Sequence, residues 1–182
     1  MQMNETQHVP APQAKVWAAL NNPEILKRCI PGCQSLEMTS PTEMAAAVVI
    51  KIGPVKANFT GKVTLSDLNP PNSYRISGEG SGGVAGFAKG GATVELAADG
   101  PNATNLHYVV DAHMGGKIAQ LGSRLIDSTA KKIAGEFFEN FATELTTAPA
   151  PVVEAPAPID AAPQAQGVLA MLIAWLKSLF GG

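Results

Sequence analysis

The stretch that decides the fold runs from Gly115 to Leu145, GGKIAQLGSRLIDSTAKKIAGEFFENFATEL. Its apolar residues stand at Ile118, Leu121, Leu125, Ile133, Phe137, Phe141 and Leu145, and their spacing repeats one face of an α-helix. At 1.5 Å per residue, a helix from Ile118 to Leu145 is roughly 40 Å long. Ser123, Asp127, Lys131, Lys132, Glu136 and Glu139 make up the opposite, water-facing side. A helix with one such stripe requires an equally long apolar surface to cover it. The residues before it supply that surface, and the residues after it read as a tether.

Working backwards from Met114, the period is two instead of 3.6. Leu106, Tyr108, Val110, Ala112 and Met114 alternate with polar or charged partners that include His107, Asp111 and His113. Ala92, Val94 and Leu96 do the same, as do Tyr74, Ile76 and Gly78. The cleanest case is Val55 to Leu68, where Ala57, Phe59, Gly61, Val63 and Leu65 face one side and lysines, threonines and Asn58 the other. Met44 to Ile52 alternates less strictly, because Val49 interrupts it. Turns fall at Gly53-Pro54, at 69–72 and at 99–102. One wet and one dry face, with no helix between strands, predict a meandering antiparallel sheet.

Near the N-terminus, Asn4 to Val9 reads as a first strand. Two short helices follow, Gln13 to Asn21 behind Pro12 and Glu24 to Arg28 behind Asn22-Pro23. The order is therefore strand, two short helices, about six strands and the long helix. This is α+β with a helix-grip arrangement, a curved antiparallel sheet wrapped round a C-terminal helix.

The dry face carries many small residues: Ala46, Ala57, Gly61, Gly78, Ala92 and Ala112. Either they let the helix sit close on the sheet, or they leave a space that an apolar guest fills.

Three regions are expected: a folded domain over 1–145, a linker over 146–167 and an apolar tail over 168–182. Thr146 to Gly167 holds five prolines and few bulky residues, so it reads as an extended linker reaching up to ~70 Å. Val168 to Phe180, VLAMLIAWLKSLF, is 13 residues. As a helix it is roughly 20 Å long, too short for a hydrocarbon core of about 30 Å. Leu169, Leu172, Ile173, Trp175, Leu176, Leu179 and Phe180 suit attachment to a membrane surface, with a partner's groove or the domain itself as the other docking places.

The chain has 13 Lys and Arg against 15 Asp and Glu, a net charge of −2, which argues against nucleic acid as a partner. The polar start MQMNETQHVPAP lacks the pattern of a signal peptide, so a cytoplasmic protein is expected, peripheral at the inner face of the membrane. Cys29 and Cys33 flank Ile30-Pro31-Gly32 and read as ordinary thiols in a turn.

No metal or catalytic constellation stands out. The glycine run from Gly78 matches GxGxxG formally, but strand alternation follows it where a phosphate-binding turn needs a helix N-terminus. A tightly bent hairpin is expected instead, with Phe87 as a lid over the mouth of the sheet. His8, His107 and His113 read as solvated, and Asp67, Asp99 and Asp127 as strand end, turn and exposed helix face. No GxSxG or acid–base–nucleophile set is present, so a binding protein is expected rather than an enzyme.

Four segments resemble the CoxG family of carbon monoxide dehydrogenase proteins: Ile30-Pro31-Gly32-Cys33, VIKIGPVKANFTG from Val49, GEGSGGVAGFAKGGA from Gly78 and GGKIAQLGSRLID from Gly115. The resemblance implies the START-like, or polyketide cyclase-like, superfamily, in which a sheet grips a C-terminal helix around an apolar cavity. It also implies a molybdenum-containing hydroxylase of the carbon monoxide dehydrogenase type as partner, recruited to the membrane. Electrons from such an enzyme must reach the respiratory chain, so the expected guest is a quinone, with no covalently bound cofactor. The expected lining is Ile52, Phe59, Val63, Phe87, Tyr108, Met114, Leu121 and Leu125, with the Tyr108 hydroxyl as donor to a quinone oxygen. The competing expectation is a structural tether with a collapsed cavity.

Overall fold

The computed structural model describes residues 1–147. The linker from residue 148 and the tail, with the seven residues expected at a membrane surface, lie outside the described residues. The strands are β1 (Gln2–Val9), β2 (Cys33–Ser40), β3 (Glu43–Ile52), β4 (Val55–Asn69), β5 (Ser73–Ser81), β6 (Phe87–Ala98) and β7 (Thr104–Gly115). The helices are α1 (Gln13–Leu20), α2 (Pro23–Cys29) and α3 (Ser123–Thr147).

All strands join one antiparallel sheet in the order β1-β7-β6-β5-β4-β3-β2. From β2 to β7 the chain meanders, and β1 closes the far edge against β7. The charged N-terminal amine helps to fasten that edge by donating to the Ala112 carbonyl at 2.8 Å. The register shifts between Cys33 and Ser35, Met38 and Ser40, and Ser66 and Asn69, and such irregularities increase a strand's local bend and twist. The α+β helix-grip expectation is borne out.

Each short helix has a local cause. Pro12 leads into α1, and Pro23 stands in the first turn of α2, where a missing N–H costs nothing. The Asn22 side chain caps α2 by accepting from the Glu24 and Ile25 amides, at 3.0 and 3.4 Å. Lys27 and Arg28 close its last turn.

The long helix departs from expectation at its start. Gly116–Leu121 forms a 3-10 turn, and the α-helix begins only at Ser123. Gly122 between them has φ +88°, a left-handed conformation that stops a helix and re-aims the chain. At the other end α3 runs two residues past Leu145, with the Thr146 hydroxyl donating back to the Ala142 carbonyl at 2.9 Å.

The C-terminal half of α3 is braced against α1 and α2. Arg28 forks onto the Glu144 carboxylate at 3.0 and 2.9 Å, Asn140 Nδ2 donates to the Cys29 carbonyl, and Lys15 Nζ donates to the Leu145 carbonyl. Phe141 is fully buried here and Leu145 nearly so. At the opposite end Ile52, Ala85 and Ile118 form a second, smaller core, with Leu121, Leu125, Met114 and Phe59 packed round it.

Candidate functional site

Between these two packed ends the sheet and α3 stand apart, leaving a space partly open to solvent. An apolar cavity of about 580 Å³ lies there. The sheet contributes Val63, Ile76, Ala92, Val94, Leu106 and Tyr108, and the helix contributes Ala130, Ile133, Ala134, Phe137 and Phe138. Leu20 of α1 and Leu26 of α2 also line it, together with Tyr74 from the start of β5.

The local sequence explains the gap. Ala130 and Ala134 are four apart on α3, hence stacked on one face, and they look towards small residues such as Ala46 and Ala92. Large side chains gather round the rim instead. Phe137 stacks on Phe141 with ring centroids 5.6 Å apart, and Tyr108 stacks on Phe138 at 5.5 Å. Trp17 meets Tyr74 edge to face at 5.4 Å.

A second pocket of about 420 Å³ shares Val63, Ile76, Ala92 and Ile133 with the first and continues towards the glycine-rich end of the sheet. Gly61, Gly78, Gly80 and Gly90 line it. The charged residues beside it, Lys62, Glu79 and Lys89, stand on the outward phase of their strands and are exposed. Among the described residues, no Lys, Arg or His lines the larger cavity.

Two hydroxyls border that cavity, and their situations differ. Tyr108 donates to Glu5 Oε2 at 2.9 Å, and Glu5 Oε1 in turn lies 3.7 Å from Lys131 Nζ. Burial, helped by the Glu5 carboxylate, pushes the Tyr108 phenol up to about 12. Tyr74 is only 4 % exposed, and its hydroxyl has no hydrogen-bond partner among the described residues. Burial alone drives its pKa upward.

The expected lining residues divide accordingly. Val63 and Tyr108 line the larger cavity, and Phe59 lines the second pocket. Ile52, Met114, Leu121 and Leu125 do not line either; they belong to the second core, because the Gly122 break folds the 3-10 turn over that end of the sheet and Leu125 packs onto Gly53. Phe87 is not a lid. Phe87 falls on the same phase of β6 as Lys89, Thr93 and Glu95, so it pairs with Gly115 on the outward side and its ring lies 6.5 Å from His113. A side chain at Gly86 would strike the Gly115 carbonyl, so only glycine fits. The Tyr108 hydroxyl is already committed to Glu5 and is not the free donor expected of it.

Periodicity missed the near wall. Ala134 and Phe138 flank the selected stripe by one position and Ala130 stands in its gap between Leu125 and Ile133, so a wider apolar arc would have included them. Met1, Met3, Leu36 and Met44 come from distant strands, with no local signal of their convergence.

Other features carry little chemistry. Cys29 is fully buried, its thiol pushed up to about 11 by burial, and Cys33 is raised for the same reason; both are free thiols. His8 lies 3.5 Å from Asp99 and His107 shares a hydrogen bond with Thr6, both at the surface. Among the described residues, no group of three His, Cys, Asp or Glu is placed to hold a metal. No helix among them is long and apolar enough to cross a membrane.

The family model that describes the G-subunit of carbon monoxide dehydrogenase (CoxG) matches residues 6–146. The chain is similar to a conserved protein from Geobacillus kaustophilus, with 30 % identity and a TM-score of 0.76 over 80 % of this chain and 95 % of that one. It is also similar in fold to a START superfamily protein from Mycobacterium smegmatis (12 % identity, TM-score 0.63, 80 % and 97 % covered). The Zhui aromatase/cyclase from Streptomcyes sp. R1128 shares the fold at 11 % identity and a TM-score of 0.59, with 80 % and 93 % covered. No curated protein matches the chain.

Proposed function

The chain belongs to the CoxG family of carbon monoxide dehydrogenase proteins, and from that membership we propose that it is a non-catalytic accessory protein that carries an apolar, quinone-type molecule between the membrane and a molybdenum hydroxylase. The observation behind this is the cavity. A partly open apolar cleft of 580 Å³ left to water forgoes about 25 cal/mol for every Å² of lining that an apolar guest would cover. Water is a poor substitute, because each buried molecule needs two to four polar partners and these walls offer almost none. An apolar guest removes the cost.

The partner enters through the family, whose name ties it to carbon monoxide dehydrogenase. A soluble redox enzyme needs an electron acceptor, and quinones are confined to the bilayer. A carrier with an oily interior brings the two together. In this proposal residues 168–182 hold the protein at the inner membrane surface, and the linker lets the domain reach the enzyme. The two tyrosines provide hydrogen-bonding groups but no nucleophile–base pair, which supports binding over catalysis.

The test is organic extraction of the full chain, purified without detergent from quinone-containing cells, followed by mass spectrometry. Stoichiometric quinone is the expected result. Protein that is consistently empty, or filled only with unrelated lipid, refutes the proposal. Removing residues 148–182 is expected to abolish membrane association while leaving quinone binding in vitro; loss of both points to a tether whose domain holds nothing.

A further inference from the structure

The cavity has one hydrogen-bonding group left to offer. Tyr74 stands on the inward phase of β5, directly after the turn from β4, and its ring lies against Trp17. Its hydroxyl has no partner among the described residues. No fully enclosed side-chain nitrogen or oxygen among them is left unpaired, so this hydroxyl borders open space. The inward phase of the Tyr74 side chain gives the hydroxyl to the cavity, although the residue also borders a small outer pocket beside Arg75 and Glu95. A buried hydroxyl without a partner loses a bond it would make in water, and a guest that returns the bond gains affinity.

We infer that Tyr74 is the polar anchor of the cavity, donating to a ring carbonyl of a quinone that enters head first, with its hydrocarbon tail trailing towards the second pocket. The inference rests on the carrier reading above and adds the orientation and the polarity of the ligand.

Three observations converge on it. Tyr108, the other hydroxyl on the wall, is held by Glu5, and its one proton is committed to that bond. The lining has no Lys, Arg or His side chain among the described residues, and the Met1 amine on it already donates to the Ala112 carbonyl, so a neutral acceptor suits the leading group better than a carboxylate or phosphate. The geometry also gives the tail a path. Tyr74, Ile76, Gly78 and Gly80 follow one another on the same face of β5, and the second pocket is lined by the last three. At about 3.3 Å per residue, this track is roughly 20 Å long. Its last two positions carry no side chain to obstruct a chain lying on them.

Two probes test this, 2-decyl-1,4-benzoquinone and decylbenzene, which share a ring and a chain and differ by the two carbonyls. The full chain is stripped of bound lipid, and affinities are measured by equilibrium dialysis with mass-spectrometric quantitation. Tyr74→Phe is expected to weaken the quinone probe about threefold to tenfold, the worth of one neutral hydrogen bond, and to leave decylbenzene within twofold. Equal losses for both probes, or no loss for either, overturn the inference while leaving the carrier function standing. If neither probe binds the unsubstituted protein, both fall.

Orientation has its own readout. In Trp175→Phe protein the remaining tryptophan is Trp17, 5.4 Å from the Tyr74 ring between centroids. Head-first binding is expected to quench its fluorescence strongly, and saturation with no quenching refutes that orientation. Should Tyr74→Phe fail to fold, the infrared spectrum of the quinone bound to protein that keeps Tyr74 decides. One carbonyl band shifted down relative to hexane is expected, and two unshifted bands overturn the inference.

Discussion

Ala92→Ile decides by its sign whether the space between sheet and helix is real in solution. Ala92 lies on β6 between Ile76 and Val110, faces inward and lines both pockets. Isoleucine adds three carbons on a strand position that suits β-branching. At about 0.8 kcal/mol per buried methylene, filling open space stabilises the ligand-free protein by up to ~2 kcal/mol. For a domain of this size that raises Tm by about 4–8 °C. In a packed core the same change overpacks and costs about 1–3 kcal/mol. The assay is urea unfolding of lipid-stripped protein followed by circular dichroism, with the slope unchanged. Stripping matters, because a ligand at 100 times its Kd alone adds about 2.7 kcal/mol. The same substitution is expected to weaken decyl-benzoquinone binding, so stability and affinity move in opposite directions. A lower urea midpoint with unchanged probe affinity refutes the reasoning.

Both tyrosines of the sequence border the cavity, and both phenols are raised, Tyr108 to about 12. Since the folded values exceed the unfolded value near 10, this stabilisation is full below about pH 10 and is lost as pH rises through 12; absorbance at 295 nm should show no phenolate at about pH 10 until the protein unfolds, and its early appearance contradicts the burial. Thr104, fully buried, donates to the Ala11 carbonyl at 2.7 Å. Thr104→Val is expected to cost about 1–3 kcal/mol in urea unfolding by stranding that carbonyl, and an unchanged midpoint would show the bond to be worthless.

The fold was legible because its signals are local. Period two from Met44 to Met114 and period near 3.6 from Leu125 to Leu145 each declare an element and its buried side. Pro12, Pro23 and Gly53 mark where elements start and turn. What escaped was the effect of a single glycine at the start of the helix. Gly122 turns Leu121 and Leu125 into cover for the sheet's end, whereas Phe87, five residues before Ala92 and so on the opposite phase of β6, was legible as outward. The occupation of a hydroxyl is likewise not written in one strand. Tyr108 loses its freedom to Glu5, which β1 brings alongside from more than a hundred residues away.

The cavity itself follows from where the chain places its fastenings. Arg28–Glu144, Asn140–Cys29 and Lys15–Leu145 clamp the C-terminal half of α3 to the short helices, and Ile118 with Ile52 and Ala85 pins the opposite end to the sheet. With both ends fixed, α3 cannot settle onto the small residues at its middle. Closing the gap over Ala130 and Ala134 would require breaking the charged fork or uncovering Phe141. A rigid frame round a narrow, small-residue waist therefore keeps a space that the hydrophobic effect alone would close, and an apolar guest supplies the contacts that the frame withholds.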